Sequence, residues 1–157
     1  MSDTSTVSRR RFCAGACQAA GGATLATLFS ACGGGSSSPT SPSGASALDR
    51  VAGRFSSTRV QVTIAGSPLA NVGGAALVES TAGVFLVART SETAFSAVEA
   101  VCTHEGCTVS GADGNVYVCP CHGSRYSRSG QVLAGPAKAS LRQYNTTVAD
   151  GVVTIAL

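Results

Sequence analysis

Apolar and polar side chains alternate most cleanly at Val60-Gln61-Val62-Thr63-Ile64 and at Phe95-Ser96-Ala97-Val98. A period of two puts one face of a strand into a core and the other into water. Further β-rich runs cover Arg59 to Ala65, Ala75 to Glu79, Gly83 to Ala88, Phe95 to Val101, Asn115 to Val118, Gln131 to Leu133, Leu141 to Val148 and Val152 to Ala156. Ala149-Asp150-Gly151 and Asp113-Gly114 read as hairpin turns between neighbouring runs. Ser91-Glu92 offers a helix start for Ser91 to Ala100, but the β-branched and aromatic content of that stretch favours a strand. No internal repeat is visible. The pattern predicts an all-β domain from residue 47 to 157, a small antiparallel sandwich or barrel whose sheets each bury one face.

Before residue 47 the pattern changes. Ser8-Arg9-Arg10-Arg11-Phe12 leads into an uncharged, Ala- and Gly-rich stretch that ends Leu28-Phe29-Ser30-Ala31-Cys32. It has no polar face recurring near every 3.6 residues, so it does not read as a buried helix of the domain. Paired Arg9 and Arg10 before a weakly apolar run resemble a twin-arginine export signal. Small residues before Cys32 resemble a lipoprotein cleavage box, although Phe29 stands where an aliphatic is usual, and an uncleaved helix anchor is the alternative to lipidation of Cys32. Residues 1–32 are thus expected to be an export leader or anchor. Residues 33–46, rich in Gly, Ser and Pro, are expected to be a flexible tether. The resemblance implies a bacterial protein sent folded to the periplasm or the outer face of the cytoplasmic membrane, with any cofactor inserted beforehand.

Composition narrows the classes. With 157 residues and 44% apolar content the chain has room for one domain with a real core. Only 12% of residues are charged, against about 25% in typical soluble proteins, which excludes a coiled coil and a charged disordered chain. The net charge of +3 is 11 basic minus 8 acidic residues; without residues 1–32 it is 8 minus 7, or +1. The basic balance belongs to the leader, and nucleic acid is set aside as a partner.

The chemistry is concentrated downstream. Seven cysteines split into Cys13, Cys17 and Cys32 near the N-terminus and Cys102, Cys107, Cys119 and Cys121, and both histidines, His104 and His122, lie within the second group. Two loops hold them: Cys102-Thr103-His104-Glu105-Gly106-Cys107 and Cys119-Pro120-Cys121-His122-Gly123-Ser124-Arg125-Tyr126. Each offers a thiol and an imidazole in ligand spacing. Two thiolates and two imidazoles suit either a tetrahedral zinc or the two irons of a [2Fe–2S] cluster. The spacing of Cys119 and Cys121 matches none of the usual all-cysteine ferredoxin runs.

Both loops resemble the cluster-binding boxes of Rieske iron–sulfur proteins, of the disulfide-containing, high-potential type found in cytochrome bc complexes. Gly135-Pro136-Ala137 is similar to that family's proline loop. The resemblance implies a Rieske-type β fold with a two-loop cluster-binding subdomain and one [2Fe–2S] cluster. It implies Cys102 and Cys119 as thiolate ligands of one iron, His104 and His122 as imidazole ligands of the other, and Cys107 with Cys121 as a disulfide. It also implies hydrogen bonds from Ser124 to a bridging sulfide and from Tyr126 to the Cys102 thiolate. Donors to sulfur stabilise the reduced, more negative state and favour the upper end of the roughly −150 to +300 mV span of such centres.

Nothing in the chain supplies a nucleophile, an acid–base pair or a substrate pocket, so the expectation is an electron carrier within an oxidoreductase complex and no enzyme in isolation. One reading is an accessory subunit or carrier that serves a respiratory or periplasmic oxidoreductase through cytochrome c or a large oxidoreductase subunit. The other is the iron–sulfur subunit of a quinol-oxidising cytochrome bc-type complex, docking on cytochrome b and passing electrons to cytochrome c. Glu105 stands where quinol-oxidising members usually present an aliphatic side chain, and a carboxylate there opposes entry into an apolar bowl. That departure favours the first reading.

Overall fold

The computed structural model describes residues 44–157; the expectations for Arg9, Arg10, Cys32 and the greater part of the tether lie outside them. In chain order the strands are β1 (Ser46–Ala47), β2 (Asp49–Ala52), β3 (Arg54–Ser56), β4 (Arg59–Thr63), β5 (Ala75–Ser80), β6 (Gly83–Arg89), β7 (Phe95–Glu99), β8 (Gly111–Asp113), β9 (Val116–Val118), β10 (Arg125–Ser127), β11 (Val132–Ala134), β12 (Gln143–Tyr144), β13 (Thr146–Ala149) and β14 (Val152–Ala156). Apart from one 3-10 turn at Pro68–Ala70, the described residues contain no helix. Ser91 to Ala94 form a bend whose backbone is tied to the Ser91 hydroxyl, and the strand follows it, as the side-chain types predict.

Three sheets form, ordered β13-β14-β4-β3, β12-β7-β6-β5-β2 and β1-β8-β9-β10-β11. The middle one departs from the expectation of one buried face. Along β5 the run Ala75 to Val78 is buried throughout, and so is Phe85 to Ala88 along β6. Alternate residues of these runs enter two different cores. Ala76, Val78, Phe85 and Val87 pack with Val60, Val62, Val153 and Ile155 of the first sheet. Ala75, Leu77, Leu86 and Ala88 pack with Tyr117 and Tyr126 of the third. A strand covered on both sides has no polar face to alternate, hence the continuous apolar stretches in its sequence. All pairings are antiparallel except β2 with β5, which is parallel.

The third sheet is inserted between β7 and β12 of the middle one, and its loops carry the cysteines and histidines. Its first strand comes from the other end of the described chain: Ser46 and Ala47 pair with Ala112 and Gly111, and Ala45 is buried beside Gly111. Asp150 and Gly151, both with positive φ, make the two-residue turn joining β13 and β14. In the β8–β9 hairpin Asp113 pairs with Val116, so the turn itself is Gly114-Asn115.

Candidate metal centre

The two loops are built alike. The carbonyl of Cys102 accepts from the amide of Gly106, and the amide of Cys102 donates to the carbonyl of Cys107. Seventeen positions on, the carbonyl of Cys119 accepts from Gly123 and the amide of Cys119 donates to Ser124. Each four-residue loop closes through a glycine with positive φ, 75° at Gly106 and 73° at Gly123, a conformation that side chains with a Cβ resist. Equivalent frames carry different side chains. The histidine is the second residue after the cysteine in one loop and the third in the other, so the two imidazoles approach from different angles. Their rings meet edge to face, centroids 4.9 Å apart.

A disulfide joins Cys107 to Cys121 and so locks one loop to the other. The sulfurs of Cys107, Cys119 and Cys121 lie within 4.8 Å of one another, but two of the three are bonded and offer no thiolate. Among the described residues Cys102 and Cys119 are the free, buried thiols, each within hydrogen-bonding reach of the other. Burial pushes the Cys102 thiol up, yet hydrogen bonds from the Tyr126 hydroxyl, the His104 amide, Cys119 and Ser124 together outweigh it and hold the thiol below its usual range. Burial, together with the neighbouring Cys102, pushes Cys119 above it. Burial and the Cys102 partner also raise Tyr126; its hydroxyl lies 3.3 Å from the Cys102 sulfur, and to a thiolate, which carries no proton, it is the donor.

A third segment completes the site. The Ser124 hydroxyl, fully buried, accepts from the amide of Ala137 at 3.2 Å. Gly135 lies so close to Ser124 that a Cβ there would stand 2.6 Å from the Ser124 Cα. Thr103, which sequence reasoning missed, is the junction: its hydroxyl donates to the carbonyl of Ala139 at 2.6 Å, and its amide donates to the Tyr126 hydroxyl at 3.2 Å. A threonine between two metal-capable residues reads as any loop residue until the third segment is seen against it.

These residues fit a [2Fe–2S] cluster with mixed ligands. The donor set is two free thiols and two imidazoles at one end of the third sheet. Nδ1 of His104 is buried without a hydrogen-bond partner, an arrangement that costs free energy unless something binds there. The opposite nitrogen, Nε2, faces Glu105. Of the residues expected at the site, Cys102 lies within hydrogen-bonding reach of Cys119, Ser124 and Tyr126, Cys107 is bonded to Cys121, and His104 meets His122.

Residues 57–145 match the family described as the Rieske [2Fe-2S] domain. Among curated proteins the chain is similar to the cytochrome b6-f complex iron-sulfur subunit of Synechococcus elongatus, 43% identical over 84 residues, which are 51% of this chain and 47% of that protein. It thus spans about half the length of that relative. Among solved structures it is similar to the cyanobacterial plasma membrane Rieske protein from Synechocystis PCC 6803, at 31% identity over 53% of this chain and 86% of that one, with a TM-score of 0.48. The ferredoxin of carbazole 1,9a-dioxygenase from Nocardioides aromaticivorans matches in fold, with a TM-score of 0.52 at 21% identity, over 64% of this chain and 98% of that one. With the all-β fold, the paired loops, the disulfide and the family match together, the chain belongs to the Rieske family, whose domain carries one [2Fe–2S] cluster.

Proposed function

We propose that Cys102 and Cys119 hold one iron and His104 and His122 the other, and that the domain passes single electrons outside the cytoplasmic membrane. In this reading it is an accessory subunit or carrier of a respiratory or periplasmic oxidoreductase. The observation that carries the ligand assignment is that the two loops bring together two free buried thiols, Cys102 and Cys119, and two imidazoles in mutual contact, while Cys107 and Cys121 are tied in a disulfide. The bound cluster supplies reversible one-electron chemistry shared over two irons. The protein supplies the rest. Tyr126 donates to the Cys102 thiolate, the Ser124 hydroxyl lies within hydrogen-bonding reach of the same sulfur, and the disulfide and the third segment keep the loops from opening to water.

The imidazole edges form the exit. The His104 side chain is 26% exposed and that of His122 48%, whereas both free thiols are buried. Electrons therefore leave through histidine. Membrane attachment through residues 1–32, by lipidated Cys32 or by a helix after the Arg9-Arg10 signal, remains part of this proposal, as does a tether from residue 33 that ends before Ala45, since the burial of Ala45 and the pairing of Ser46 take the last two of residues 33–46 into the fold. The second reading, the iron–sulfur subunit of a quinol-oxidising complex, is favoured by the cytochrome b6-f subunits among the relatives. Glu105 speaks for the carrier.

Electron paramagnetic resonance of the iron-loaded full chain tests the assignment. A rhombic signal already present after ascorbate is expected, since the sulfur donors favour reduction. A signal that needs dithionite contradicts the role given to Ser124 and Tyr126, and bound zinc without any such signal contradicts the cluster.

A further inference from the structure

The end of the domain that carries the histidines is made of residues 101–107, 119–126 and 134–139, and Glu105 is the only acidic residue in all three segments. Its two carboxylate oxygens lie one toward each imidazole, 3.8 Å from Nε2 of His104 and 3.7 Å from Nδ1 of His122. Both distances are too long for hydrogen bonds, and the side chain is 60% exposed. The carboxylate is thus centred on the electron exit yet has no hydrogen-bonding partner among the described residues. The other charges of this end are accounted for differently. Arg125 is bound to Asp113 at 2.6 Å, and Lys138 is exposed on the third segment, without an ion pair among the described residues.

We infer that Glu105 selects the redox partner by charge, accepting a protein that places a lysine or arginine side chain over the two imidazoles. The inference rests on the ligand assignment proposed above and names the partner's chemistry. A lysine or arginine set against Glu105 satisfies the free carboxylate with a charge-assisted hydrogen bond and brings the donor or acceptor centre to the exposed ring edges. An apolar socket would instead strip water from an exposed carboxylate that no hydrogen bond satisfies, which disfavours docking. Lys138 gives the same end a positive point away from the pair of rings, so a matching partner is basic opposite the histidines and acidic toward the third segment. Such pairing acts chiefly on the rate of productive encounter and on the choice of partner.

The test uses the iron-loaded full chain, Glu105→Gln and Lys138→Gln, each oxidised by a tris-chelated cobalt(III) cation and by the hexacyanoferrate(III) anion. At low ionic strength the ratio of cation to anion rate constants should fall about fivefold in Glu105→Gln, and the change should vanish at high salt, as expected for a nearby screened charge. Lys138→Gln should move the ratio the other way, and Glu105→Asp should restore it. The midpoint potential should rise in Glu105→Gln, by less at high salt, a response that a purely structural role would not give. An unchanged ratio in a variant with a normal cluster spectrum overturns the inference and leaves the ligand assignment standing. A wild-type chain that loads no cluster overturns both.

Discussion

The Tyr126 hydroxyl makes three contacts: it receives the Thr103 amide, meets the Thr103 hydroxyl at 3.1 Å and lies 3.3 Å from the Cys102 sulfur, to which it is the donor once that sulfur is a thiolate. A hydrogen bond to a charged partner contributes about 1.5–3 kcal/mol. If about 1 kcal/mol of that distinguishes the two redox states, Tyr126→Phe lowers the midpoint potential by about 40 mV, at 59 mV per tenfold for one electron. Voltammetry of the loaded chain reads this directly, and an unchanged or higher potential contradicts the donor role. At this scale the sequence was informative because Cys, His and Tyr advertise their chemistry by type and spacing. Thr103 was hidden, because its importance comes from Ala139, 36 residues away, and no local pattern encodes that contact.

Among the elements, the two loops depend on each other. Each is a four-residue connection closed by a positive-φ glycine, and the bond between Cys107 and Cys121 spans 14 positions. Closing a loop of that size in the unfolded chain stabilises the fold by about 3 kcal/mol. Cys107→Ala with Cys121→Ala should therefore lower the unfolding free energy of the full chain by about that amount in a denaturant titration and should shorten the lifetime of the loaded cluster. A loss under about 0.5 kcal/mol would mean that the third segment alone holds the loops. Runs such as Val60 to Thr63 and Val152 to Ala156 were legible as strands. β1, β2, β3, β8 and β10 were not, because they are two to four residues long and mostly edge or loop-flanking pieces, with polar or small residues in place of alternation.

Across the whole domain, the middle sheet separates two cores, and the three tyrosines are distributed around it. Tyr117 and Tyr126 belong to the core on the cluster side, while Tyr144 packs edge to face on Phe85 at the other core. Burial raises the pKa of all three phenols, with Cys102 adding to the rise at Tyr126 and Glu99 at Tyr144. Since each folded value lies above the unfolded one, near 10, the neutral forms stabilise the fold fully below about pH 10 and lose that contribution as the pH climbs through the folded values. Tyr117 and Tyr126, both fully buried, should thus ionise only together with loss of the β circular-dichroism signal, whereas the partly buried Tyr144 can ionise with the sheets intact. Ordinary titration of more than one tyrosine near pH 10 with the sheets intact would contradict the burial of Tyr117 and Tyr126. The overall class was legible from turn chemistry and β-rich runs, while the layered arrangement was not, because continuous apolar stretches such as Val84 to Ala88 fit several kinds of buried element equally well.

The most direct measurement is the Mössbauer spectrum of the full chain loaded with iron-57, before and after reduction by one electron. Two thiolates on one iron and two imidazoles on the other predict two iron sites of equal intensity and different isomer shift in the oxidised state, with only the histidine-bound site becoming ferrous on reduction. A single class of iron, or reduction of the thiolate-bound site, would contradict the assignment of Cys102, His104, Cys119 and His122.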